Sequence, residues 1–121
     1  MFLDNFNFNA GATANDALWC GLPVLTKIGK RYPARMASSL LRALSLNELI
    51  AQSEEEYESL VKSLATDQAK LQSIRQKLVE SNEQSKLFDT KLFTEKLESA
   101  YEIVLERFHE GHQPEDLILP G

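Results

Sequence analysis

NAGATANDALWCGLPVLT, residues 9–26, runs from small residues through a short helical stretch to Gly-Leu-Pro and then to an apolar Val-Leu-Thr. Gly21 suits the position just past a helix, where a positive φ is needed, and Pro23 prevents continuation. The spacing predicts a helix from about Thr13 to Cys20. Val24-Leu25-Thr26 then reads as a short buried parallel strand. Residues 1–50 thus read as alternating β and α.

Working outward, Met1-Phe2-Leu3 reads as the end of a buried strand ahead of the helix. Residues 27–31 form a loop. Pro33 fits the first turn of a second helix whose apolar residues are Met36, Leu40, Leu41 and Leu44. Leu49-Ile50 is a candidate third strand. From residue 53 to 110 the pattern is helical. Ser53 and Glu56 form a capping box ahead of Tyr57, Leu60, Val61 and Leu64. Asp67 caps a helix carrying Leu71, Ile74 and Leu78, and residues 82–88 read as a polar connection. Asp89 caps a long helix with Phe93, Leu97, Tyr101, Val104 and Phe108 on one stripe, ended by Gly111. Leu117-Ile118-Leu119 in the tail is expected to pack. The expected fold is α/β: two or three short parallel strands in a Rossmann-like arrangement, with a predominantly helical C-terminal part. The expected division is a β/α nucleotide-binding portion over 1–52 and helices over 53–121. So few strands read as the last portion of a larger sheet, since a parallel sheet normally has several strands covered on both faces.

The 121 residues suit one domain, and hydrophobic and charged fractions of 43% and 26% are those of a soluble protein. A net charge of −5 argues against sequence-independent nucleic-acid binding and against an anionic membrane surface. The single cysteine, Cys20, allows no internal disulfide or Cys-based zinc site. No apolar run approaches the roughly 20 residues that span a bilayer. Asp4 interrupts any apolar signal-peptide core, so a cytoplasmic location is expected.

Two readings compete for residues 10–16. A helix N-terminus presents free N–H groups and the positive end of a dipole, which together bind anions. Ala10, Gly11, Ala12 and Ala14 are small enough to let a pyrophosphate approach, and Thr13 adds a hydroxyl. Asp16, one turn on, suits ribose hydroxyls. Alternatively, Thr13-x-x-Asp16 is a capping box with no ligand. The stretch is neither a P-loop nor GxGxxG. His109 and His112 lack a third metal ligand. Lys27, Lys30 and Arg31 are either phosphate contacts or surface. Trp19 and Cys20 read as core or sheet cover.

Residues 3–50 resemble the C-terminal catalytic region of the O-GlcNAc transferase family, glycosyltransferases of the GT-B fold. The resemblance rests on Asn9 through Thr13 as a phosphate turn, followed by Asp16, Leu18, Trp19, Gly21, Pro23, Val24 and Thr26. Arg35, Ala37, Ser38 and Ser39 continue it, as do Glu48-Leu49-Ile50, Glu56-Tyr57 and residues 87–90. It implies UDP-sugar binding, with Gly11 and Ala12 contributing backbone N–H groups, Thr13 binding phosphate and Asp16 the ribose. The implied reaction is inverting, metal-free transfer of N-acetylglucosamine from UDP-N-acetylglucosamine to Ser or Thr of a protein acceptor, with no separate cofactor. Ala12 and Gly11 stand where the family often has threonine and histidine, and Lys30 where an acid is common. The family's catalytic lysine and acceptor side lie upstream of its matching region, so transfer by this chain alone is not expected. The final helix is expected to expose part of its stripe and to support a homodimer. A non-catalytic helical interaction module and a transferase for another nucleotide sugar are the alternatives.

Overall fold

The computed structural model describes residues 1–119. Three parallel strands lie in the order β1-β2-β3: β1 (Phe2–Leu3), β2 (Val24–Lys27) and β3 (Ile50–Ala51). Phe2 pairs with Val24 and Thr26 with Ile50. Helix α1 (Ala12–Trp19) crosses from β1 to β2. A 3-10 turn at Tyr32–Arg35, helix α2 (Met36–Ala43) and a second 3-10 turn at Asn47–Leu49 cross from β2 to β3. Parallel neighbours require such crossovers. Helices α3 (Glu54–Thr66), α4 (Gln68–Gln84) and α5 (Thr90–His109) follow. The fold is α/β, with three short parallel strands and predominantly helical structure beyond them, as expected from the sequence.

Contacts divide the chain into two units, Met1–Leu87 and Phe88–Gly121. In the first, Val24, Leu25 and Thr26 of the central strand are wholly buried, with Leu18, Leu41, Leu44, Leu49, Leu64 and Leu78 around them. Helix α3 packs on β2 and β3, and α4 packs on α1 and α3. Asn82 donates through Nδ2 to the Leu18 carbonyl at 2.8 Å, tying the end of α4 to the end of α1. In the second unit the chain turns back after α5, with Arg107 and Glu115 paired and Leu117 half-buried in a hollow beside Val104 and Phe108. Ile118 is exposed.

Four details differ from the sequence reading. β1 is an edge strand, with Leu3 exposed and Phe2 only half-buried, because just one side of it is paired. Trp19 and Cys20 are exposed, Trp19 by 60%. The buried side of α1 is set by Ala14 and Leu18, four apart, and position 19 lies about 100° further round the helix. The third strand starts at Ile50, after Leu49 closes a 3-10 turn. Finally, α4 continues to Gln84, so Asn82 is helical.

Candidate functional site

The site begins at Asp4, the first residue after β1. It is buried, and its Oδ1 accepts from the backbone N–H of Asn5 (2.9 Å) and of Ala10 (2.8 Å). Its Oδ2 accepts from the buried Thr26 hydroxyl at 2.7 Å. One carboxylate thus folds residues 4–10 into a closed loop and pins it to β2. Asn9, wholly buried, donates through Nδ2 to the Asn5 carbonyl (2.6 Å), and its backbone N–H donates to the Pro33 carbonyl (2.8 Å). The loops leaving the carboxyl ends of β1 and β2 are therefore fixed to each other. This edge of a parallel sheet is where α/β proteins bind ligands.

Helix α1 starts from this platform. Its N-cap is Gly11, and no side chain caps it. The first intrahelical bond runs from Asn15 N–H to the Gly11 carbonyl at 3.0 Å. The N–H groups of Ala12, Thr13 and Ala14 therefore have no acceptor within the helix. The Thr13–Asp16 capping box does not form. The N-cap position falls at Gly11, two residues before Thr13, so Thr13 lies inside the first turn and cannot serve as N-cap. Thr13 and Asp16, three apart, lie on one exposed side of the helix. Gly11 and Ala12 face a solvent-open cavity of about 560 Å³, shared with Asn15 and walled on the other side by residues of α2. The four residues singled out from the sequence thus sit at the N-cap and in the first turn and a half of α1, two on the cavity and two on the neighbouring open face.

Across the cavity stand Tyr32, Arg35, Met36 and Arg42. Met36 fills the room that a side chain at position 11 would take: a Cβ there would meet the Met36 methyl at 2.6 Å. Lys27 faces elsewhere, paired with Glu54 at 2.8 Å and lying 4.4 Å above the Phe6 ring. Phe6 in turn meets Tyr57 edge-on at 5.0 Å. Burial, and then the Asp4 charge, push the Tyr57 phenol above its ordinary value. Among the described residues no group of three His, Cys, Asp or Glu is placed to hold a metal ion, and no helix is long and apolar enough to cross a membrane. The sequence reading missed Asp4 and Asn9 as the fixings of the loop, and Tyr32 and Arg42 as cavity residues. An Asp immediately after a strand and ahead of a small-residue turn was the one available signal.

The three parallel strands and their helical crossovers define a Rossmann-like α/β arrangement, with this helix terminus at the carboxyl edge of the sheet. The description of glycosyl transferase family 41 matches residues 1–97, and the chain belongs to that family. It is 35% identical over 112 residues to a probable UDP-N-acetylglucosamine–peptide N-acetylglucosaminyltransferase, SPINDLY, of Hordeum vulgare, a match covering 93% of this chain and 12% of that protein. It is 33% identical over 109 residues to the UDP-N-acetylglucosamine–peptide N-acetylglucosaminyltransferase of Caenorhabditis elegans, covering 90% of this chain and 10% of that protein. A solved structure of a mutant O-GlcNAc transferase of Thermobaculum terrenum superposes with a TM-score of 0.76 at 35% identity, over 82% of this chain and 19% of the other. The chain therefore spans about a tenth of the length of these curated relatives.

Proposed function

We propose that this chain carries a donor-binding part of a protein O-linked N-acetylglucosaminyltransferase, with UDP-N-acetylglucosamine as donor. In this reading the amides of Ala12, Thr13 and Ala14 hold the diphosphate and the Thr13 hydroxyl adds a donor. Gly11 and Ala12 allow close approach, and Asp16 accepts from the ribose hydroxyls. A helix N-terminus fixed in place ahead of time stabilises the charge that builds on a leaving diphosphate, without a metal ion. A Ser or Thr hydroxyl of a protein acceptor displaces that diphosphate at the anomeric carbon. Residues 1–121 alone bind without completing transfer; the small share of each relative that they span supports this. The cytoplasm is the proposed setting.

One observation carries the reading: in a family 41 chain, an uncapped helix N-terminus stands at the carboxyl edge of the sheet beside exposed Thr13 and Asp16. The test is a UDP titration of isotope-labelled protein, followed by backbone amide NMR. Saturable shifts confined to Gly11–Asp16, and lost in Asp16→Ala, are expected. A Kd near 1 mM is sufficient, since it corresponds to about 4 kcal/mol. A folded protein whose amides there do not move overturns the reading. A second reading, an interaction module that self-associates, draws support from the exposed apolar stripe of α5.

A further inference from the structure

Between Asp16 and Glu48 the chain has no acidic residue and five basic ones, Lys27, Lys30, Arg31, Arg35 and Arg42, in a protein of net charge −5. Lys27 is neutralised by Glu54. Among the described residues the other four have no carboxylate partner. Arg35 and Arg42 are both exposed, and both line the cavity between α1 and α2. Arg35 makes only a long contact, 3.4 Å, to the Gly29 carbonyl. Every charged side chain on the cavity wall is thus a cation. Seven residues along a helix separate the two arginines by about 10 Å. That spacing favours an elongated ligand over a single phosphate. In a polyproline II peptide, residues three apart share one edge at about 9 Å.

We propose that the α1–α2 cavity docks an acidic peptide segment in extended form, with carboxylates three residues apart paired to Arg35 and Arg42. Tyr32, 79% exposed and lining the same cavity, offers an aromatic face to the peptide. Guanidinium groups suit this task, because each binds a carboxylate through two parallel hydrogen bonds. Calling such a peptide part of an acceptor rests on the transferase reading; the binding itself does not.

The experiment measures fluorescence anisotropy with the 121-residue chain at low ionic strength. The probes are a labelled peptide with two glutamates three residues apart and its counterpart with two glutamines. At least tenfold tighter binding of the glutamate peptide is expected. A drop of tenfold or more is expected in the Arg35→Ala/Arg42→Ala double variant, and progressive weakening with added salt. Both arginines are exposed, so circular dichroism of the variant should match the parent. Equal binding of the two peptides, or undiminished binding by the double variant, overturns the proposal. Inorganic diphosphate that shifts the amides around Arg35 and Arg42, rather than those of Gly11–Asp16, and displaces the labelled peptide at lower concentration than its unlabelled form also overturns it, in favour of a small-anion site. In the single variant Arg42→Ala the UDP-induced shifts at Gly11–Asp16 should persist. Loss of UDP binding in the parent alone would sink the donor reading and leave the peptide site standing.

Discussion

Asp4 has three partners that become orphans together when its carboxylate is removed: the Asn5 and Ala10 amides and the buried Thr26 hydroxyl. Each buried polar group left unpaired costs about 1–3 kcal/mol. Asp4→Ala is therefore expected to destabilise the fold by about 3 kcal/mol, read as a shift in the urea midpoint, whereas Asn5→Ala on the exposed side of the same loop should change little. Two glycines separate in the same way. A Cβ on Gly11 meets only the tip of Met36, which can swing aside, so Gly11→Ala should be nearly neutral in stability. A Cβ on Gly29 falls 2.5 Å from the Cβ of buried Ala34, with the Ala34 carbonyl also close, so Gly29→Ala should cost about 1–3 kcal/mol. A reversed order in thermal melts would contradict the geometry. Tyr57 supplies a pH dependence. Its folded phenol is raised above its ordinary value of 10.0, so the fold favours the protonated form. That stabilisation is complete below pH 10 and is lost as pH rises through the folded value. Denaturant midpoints measured on either side of pH 10 should show an alkaline loss that is smaller in Tyr57→Phe.

The helix ends show which parts of the structure could be read in advance. Ser53, Asp67 and Asp89 cap α3, α4 and α5, accepting from Glu56, Lys70 and Leu92 N–H respectively, where a short polar side chain precedes an apolar run. Gly21 and Gly111 close α1 and α5 with φ of 75° and 78°. These were legible because capping is local chemistry. The end of α2 was not. It closes with the same two bonds, Ser45 N–H to Arg42 carbonyl and Leu46 N–H to Leu41 carbonyl, but the left-handed residue is Ser45, at φ 57°. A serine gives no sign of such a conformation, since packing of Leu44 and Leu46 forces it. Ser45→Gly should therefore stabilise the protein by about 1 kcal/mol, because glycine takes this conformation without the Cβ penalty. A lower melting temperature would show that the serine contributes something beyond its backbone. The start of α1 was misjudged for the complementary reason. Thr13 and Asp16 match a capping pattern, but the loop tied by Asp4 and Asn9 puts the N-cap at Gly11, two residues before Thr13, through contacts as distant as Thr26 and Pro33. The same long-range fixing hid the cavity. Residues of α1 and α2 meet only after the crossovers are folded.

At the scale of the whole molecule, the apolar surface is unevenly spent. In Met1–Leu87 the leucines of the central strand and its covering helices are largely buried. Helix α5 has no fully buried residue, and Phe93, Leu97, Tyr101, Val104 and Phe108 are all exposed on one stripe. Spacings of four, four, three and four keep them within one side of a helix. A continuous patch of this kind is far more than scattered exposed leucines and favours association. Leu97 and Val104, 38% and 53% exposed, would each recover about 1 kcal/mol on full burial, so the pair is worth roughly a tenfold change in affinity or more. The proposed self-association is tested by light scattering of the 121-residue chain across a concentration series. The mass should rise toward a dimer for the parent and stay at 13.7 kDa, the monomer value, for Leu97→Glu/Val104→Glu. Glutamate is a good helix former, so helical content should be unchanged in that variant. A parent that remains monomeric throughout the series would mean that the stripe of α5 does not pair with its own copy, and would leave nucleotide binding at α1 as the function to pursue.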